Sequence, residues 1–304
     1  MNIMKVTFLG TSGSMPTPQR GSSSVVVRLG KEILMFDCGE GTQRQLVKAH
    51  IGFQRPMKIF ISHLHGDHVL GLPGLLQSMS LLRREKPLHI YGPTGIVDFI
   101  KAFSDSLGGP IFPVIIYEIK ESGIIIETEE YRIIAVEAKH RSTAWSYALF
   151  ETPRPGRFHP EKARKLEIPE GELWGKLQKG EFIEFEGRKI NPSRVTDPPR
   201  PGRKIIYSGD TSPNKALIEL SKKADLLIHE ATFLEELADR AAEDGHTTAL
   251  QAAQLAKEAM VELLVLTHIS SRYPDPEIVK AEASKIFSNI IVAEDLMELE
   301  IPLK

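Results

Sequence analysis

The sequence predicts an α/β fold of four layers, two sheets packed face to face with helices on both outer sides. Three observations point to it: short apolar runs rich in β-branched residues crowd the first half, strands and helical patterns alternate in the second, and a Pro-, Gly- and charge-rich stretch lies between them. With 304 residues, 41% of them hydrophobic and 26% charged, the chain has ample material for such a core. Disordered and collagen-like chains are excluded by the same composition.

In chain order, strands are expected at 4–9, 25–29, 33–36, 58–62, 88–91, 113–118, 131–136 and 145–150. Helices fall between them at 42–50, 70–84 and 94–107, where the apolar spacing changes from two to three or four. The second half reads as strand 204–208, helix 213–222, strand 225–229, helix 247–260, strand 262–267 and strand 290–293. Thr247 or Thr248 supplies an N-cap for the helix 247–260.

From Phe150 to Lys204 no continuous core pattern persists, an uncommon length for a loop in a compact domain. It is read as an inserted arm, about 151–203, in a single domain of 1–304. Within it 160–167 and 172–179 suit short helices and 182–190 a small hairpin. A net charge of −2 argues against nucleic-acid binding through bulk electrostatics. Residues 150–205, however, hold 13 Lys and Arg against 9 Asp and Glu, which makes the arm a basic island on an acidic body.

No apolar run approaches the ~18 residues of a membrane span, and MNIMKVTFLG enters a strand pattern at once. A soluble, cytoplasmic protein without membrane association is expected. Cys38 is the single cysteine, so neither an internal disulfide nor a cysteine-based zinc site is available. Any metal must be held by nitrogen and oxygen.

The most specific signal is His63-Leu64-His65-Gly66-Asp67-His68, directly after the strand 58–62. Four ligand-type side chains at one strand end can fold around a point, with His63 and His65 suited to one ion and Asp67 and His68 to a second. Further candidates end other predicted strands: His140 after IIAVEAKH, Asp210 after KIIYSGD and His268 after LLVLTH. Five His and two Asp suit two ions bridged by one carboxylate, with Asp210 the natural bridge. Imidazole and carboxylate without thiolate favour Zn²⁺, with Mn²⁺ or Fe²⁺ as alternatives. Two divalent ions, two carboxylates and a bridging hydroxide leave a net charge of about +1, which attracts an anionic ester and supplies a nucleophile at neutral pH. Phosphodiester hydrolysis is the reaction best suited. Glu230 and His246 lie near strand ends of the second half, where a carboxylate orienting an imidazole would make a general acid.

HLHGDH, His140, SGDT at 208–211 and TH at 267–268 resemble the two-zinc hydrolase branch of the metallo-β-lactamase fold. Other segments narrow the resemblance: GTSGSMPTPQRGSS from Gly10, DCGEGTQRQL at 37–46, LPGLLQSM at 72–79, HEATF at 229–233 and GHTTALQAAQLAKEA at 245–259. Together they are similar to the ribonuclease Z family, endonucleases that remove 3′ trailers from precursor tRNA. The resemblance implies two zinc ions per subunit, one on His63, His65 and His140, the other on Asp67, His68 and His268, with Asp210 bridging. It implies that Asp67 is the general base and that Glu230 and His246 relay the proton to the leaving 3′ oxygen. It further implies cleavage after the discriminator nucleotide, a tRNA-binding arm, and a homodimer in which one subunit's arm serves the other's site. Lys165, Lys176 and Lys179 on the arm, together with Arg272, are the expected contacts to tRNA. The arm reads IPEGELWGKLQKG, with Gly171-Glu172 where many of the family have Gly-Pro. The competing expectation is a small-molecule phosphodiesterase or other hydrolase of the same fold, against which the long basic arm speaks.

Overall fold

The computed structural model describes residues 4–303. Two seven-stranded sheets form its centre. The first runs in the order Glu298–Ile301, Met4–Gly10, Ser24–Leu29, Glu32–Phe36, Met57–Phe60, Leu88–Pro93, Val114–Ile119. The second runs Ile290–Val292, Leu263–Thr267, Leu226–Glu230, Lys204–Tyr207, Trp145–Glu151, Tyr131–Glu137, Gly123–Glu127.

Strand periodicity sorts the side chains into layers. Leu34 and Phe36 join the core between the sheets, while Ile33 and Met35 turn outward onto helices Thr42–Lys48, Gly71–Leu81 and Ile96–Leu107. In the second sheet Ile228 faces the central core, and Leu227 packs under helices Lys215–Ser221, Ala249–Glu258 and Pro276–Ala283. This is the four-layer α/β/β/α arrangement.

Differences from the expected elements have local causes. The helices expected at 42–50, 70–84 and 247–260 stop at Lys48, Leu81 and Glu258, because the chain turns left-handed soon afterwards at His50, Arg83 and Met260 (φ 54°, 52° and 53°). The last begins with a capping box in which Thr248 Oγ1 accepts from Gln251 N–H. Strands Gly123–Glu127 and Glu298–Ile301 and helices Ala238–Asp244 and Pro276–Ala283 are additional to the sequence reading.

The interrupting stretch has a small core of its own. Ala163, Ile168, Leu177, Ile183, Ile190 and Val195 are buried together, beneath helices Pro160–Lys165 and Glu172–Gln178 and the hairpin Ile183–Phe185 with Arg188–Ile190. These apolar residues are too sparsely spaced along the sequence to show a continuous pattern.

Candidate metal centre

Parallel pairing of Lys204–Tyr207, Leu226–Glu230 and Leu263–Thr267 brings their C-terminal ends to one edge. The segments following Met57–Phe60 and Tyr131–Glu137 reach the same place, so Asp210, Glu230, His268, His140 and the HLHGDH loop converge there.

Four of the five clustered histidines are oriented by an outward hydrogen bond that sets the tautomer. Asp37 is the hub. Its Oδ2 takes His68 Nδ1–H at 2.7 Å, Ser62 Oγ–H at 2.8 Å and Tyr207 O–H at 2.6 Å. Because the Ser62 hydroxyl is donated to Asp37, its oxygen accepts from His63 Nδ1 at 3.0 Å. Gly245 O accepts His140 Nδ1–H at 2.8 Å. Thr232 Oγ1 donates to Glu230 Oε2 at 2.6 Å and therefore accepts from His268 Nδ1 at 2.8 Å. Four rings thus commit their protons outward and turn Nε2 lone pairs inward.

The inward atoms crowd one another without donors. His68 Nε2 and His268 Nε2 stand 3.2 Å apart, and both lie 3.3 Å from Asp210 Oδ2. Asp67 Oδ2 is 3.2 Å from His268 Nε2 and accepts the Ser14 N–H at 2.8 Å. His63 Nε2 is buried without a hydrogen-bond partner, 3.7 Å from Asp210 Oδ2. His65 enters with the other nitrogen, its Nδ1 lying 3.4 Å from His140 Nε2. Donor atoms fall into groups within 4.8 Å of one another: His63, His65 and His140; His63, His68 and Asp210; Asp67, His68 and His268; Asp210, His246 and His268.

Such a cluster demands positive charge. Burial alone would drive His68 down, but Asp210 and Asp37 prevail and hold it well above the ordinary imidazole range. Burial, aided by the neighbouring His68, drives His63 well below it. Asp67 is driven far below the carboxylate range, since the adjacent His268 and His68 imidazoles outweigh its burial. Nitrogen and oxygen lone pairs converging from both sides fit divalent cations of borderline hardness. Strain accompanies the arrangement: Asp37 and His268 both adopt left-handed φ, 58° and 57°.

Glu230 is buried beside this cluster. Its Oε1 binds His246 Nδ1 at 2.9 Å and the Thr211 N–H at 2.8 Å. Burial opposes charge on His246, but Glu230 outweighs it and raises the imidazole to about 9. His246 faces a cleft of about 470 Å³ together with Met15, His65, Arg141, Phe233 and Arg272. Arg272 lies 5.6 Å from the Phe233 ring centre, at this cleft. Lys165, Lys176 and Lys179 stand elsewhere, on the arm, where Lys176 pairs with Glu172 at 2.8 Å. Sequence reading passed over Asp37, Ser62 and Thr232 as site residues, and also Arg141, which pairs with Asp244 at 2.9 Å on the cleft rim. Asp37 and Thr232 do stand in the segments DCGEGTQRQL and HEATF, whereas Ser62 and Arg141 were marked only by polar stretches beside apolar strand ends.

Two family models match parts of the chain: one for the anti-Pycsar protein Apyc1 over residues 4–109, and one for the β-lactamase superfamily domain over 193–269. Full-length similarity is closer. A ribonuclease Z of Methanosarcina acetivorans is 49% identical over 99% of both chains, and one of Archaeoglobus fulgidus is 43% identical over 98% of both. Among solved structures, the short form of human tRNase Z superposes with a TM-score of 0.73 at 33% identity, covering 99% of this chain and 100% of that one.

Proposed function

The chain belongs to the ribonuclease Z family, and from that premise we propose how this nuclease of tRNA 3′ processing works: it cuts precursor tRNA after the discriminator nucleotide, leaving a tRNA 3′-hydroxyl and a trailer 5′-phosphate. The observation that carries the mechanism is the inward convergence of ring nitrogens, four of them on rings whose protons are committed outward.

His63, His65 and His140 would hold one divalent cation and Asp67, His68 and His268 a second, with Asp210 shared; zinc suits this donor set best and manganese is also accommodated. Divalent cations bound there lower the pKa of water toward neutrality and withdraw charge from a phosphoryl group. Asp67, whose Oδ2 faces the cluster 3.2 Å from His268 Nε2, is the group placed to orient the attacking water and take its proton. With Nδ1 tied to Glu230, His246 has Nε2 left to protonate the departing 3′ oxygen.

Substrate capture falls to the arm. Lys165, Lys176 and Lys179 meet tRNA phosphates, Arg272 contacts RNA at the cleft, and recognition is chiefly of tRNA shape. A homodimer is supported by exposed apolar residues at the neighbouring C-terminal ends of helices Gly71–Leu81 and Ile96–Leu107. Leu81, Leu107 and Ile111 are 85%, 64% and 74% exposed, and their segments adjoin through Gln77 Nε2 to Gly108 O at 2.6 Å and Ile111 N to Ser80 Oγ at 3.3 Å. Among the described residues no helix is long and apolar enough to cross a membrane. The reading assigns the enzyme to the cytoplasm.

The test is cleavage of an end-labelled precursor tRNA by zinc-loaded protein, with the cut and its end groups mapped. Asp67→Ala should lower the rate several hundred-fold, about 4 kcal/mol. No cut on RNA, with retained hydrolysis of bis(p-nitrophenyl) phosphate, would favour a small-molecule hydrolase instead.

A further inference from the structure

The arm meets the body where two segments run antiparallel. Glu151 N–H donates to Arg203 O, Arg154 and Arg200 exchange both backbone bonds, and Asp197 N–H donates to Arg157 O, all at 2.9 Å. Pro153, Pro155, Pro198 and Pro199 fix φ along both segments and stiffen them. At the root the backbones approach so closely that a Cβ on Gly202 would stand 1.9 Å from Glu151 O.

One side-chain pair locks this root. Arg203 has 1% of its side chain exposed and Glu151 8%. The guanidinium grips the carboxylate twice, Nε to Oε2 at 2.8 Å and Nη2 to Oε1 at 2.6 Å, while Nη1 donates to Ile301 O at 2.9 Å. The Arg203 N–H adds a bond to Glu151 Oε2 at 3.0 Å. Burial would raise the Glu151 carboxyl, yet these bonds hold it below the ordinary range. A buried ion pair is a poor source of stability, because its desolvation offsets most of the attraction; a planar two-pronged contact does fix direction. The arm beyond the root has a separate core, so a change of angle at the root swings it as a unit.

We propose that the Glu151–Arg203 clamp is a positioning device that sets the angle at which the arm presents tRNA to the active site. It rests on the reading of the arm as the tRNA-binding element.

Removing one partner strands a buried charge and can unfold the chain, so the informative variant replaces both, Glu151→Met with Arg203→Met, keeping volume without the fork. Precursor-tRNA KM should rise about tenfold with kcat within about twofold, and hydrolysis of bis(p-nitrophenyl) phosphate should not change. Arg203→Lys, which keeps the charge but not the two-pronged contact, should fall between. Spin labels on Ser193→Cys and Glu129→Cys read the arm angle directly, since the native Cys38 is buried. Their distance distribution should broaden in the double Met variant. An unchanged distribution overturns the clamp. A broadened distribution with unchanged KM overturns its role in tRNA presentation; if an arm-deleted enzyme also keeps its KM, the fault lies in the reading of the arm.

Discussion

The carbonyl oxygen of Gly245 accepts a hydrogen bond from His140 Nδ1 at 2.8 Å. Gly245 holds a left-handed φ of 78° and directly precedes His246, so one short turn fixes both a candidate ligand and the candidate acid. Gly245→Ala would set a Cβ 2.9 Å from that nitrogen at a φ that alanine resists. We expect a 10–100-fold loss of metal affinity, in line with other losses of ligand-orienting contacts, measured by competition with a chelator. Wild-type affinity would mean that the turn does not orient the ligand.

As the proposed acid, His246 should set the alkaline limit of the reaction. As an acid it must be protonated, so kcat should hold through neutrality and fall above about 9. Glu230 is what raises the imidazole against its burial. In Glu230→Gln the alkaline limb should move down toward the ordinary histidine value of about 6.5, with activity partly recovered by lowering the pH. A pH–kcat profile of both proteins decides it; a limb that stays in place would remove His246 from the acid role.

The arm should matter to tRNA alone. Replacing residues 155–200 by a short Gly-Ser link should raise precursor-tRNA KM by about 100-fold or more, while bis(p-nitrophenyl) phosphate hydrolysis stays within about threefold. Binding by the intact protein should weaken steeply with salt, and the slope of log K against log salt should shrink once the arm is gone. Equal damage to both substrates would make the arm a folding element.

Charge placed among the exposed apolar residues should dissociate the proposed dimer. Leu81→Asp with Ile111→Asp exposes no new core, since both side chains are already largely in solvent. Small-angle scattering at micromolar protein should give a dimer mass for the wild type and a monomer mass for the variant. A wild-type monomer would overturn the dimer.

Much of the candidate centre was legible because the residues that converge there follow apolar strands: His140, Asp210 and His268 each sit within a few residues of a run of Ile, Leu or Val. The orienting residues were not. Asp37 becomes a hub only when folding brings it to Ser62, His68 and Tyr207, 25, 31 and 170 positions away, and an isolated aspartate carries no mark of that. Helix ends were misjudged where His50, Arg83 and Met260 turn left-handed, because no glycine announces the stop. Helix Ala238–Asp244 has only Ala241 buried, too little apolar surface to form a stripe. Helix Pro276–Ala283 did carry a signal, Asp275 as N-cap before a first-turn proline.

Ile168, Leu177, Ile183 and Val195 pack on one another in a cluster distinct from the three that support the two sheets. Changes among them should be nearly independent of changes in the sheet cores, for distant sites without shared partners vary almost additively. Inheritance can therefore treat the arm as a cassette: given the tRNA-binding role proposed for it, its surface can be rewritten for a different population of RNA while the imidazole array stays untouched.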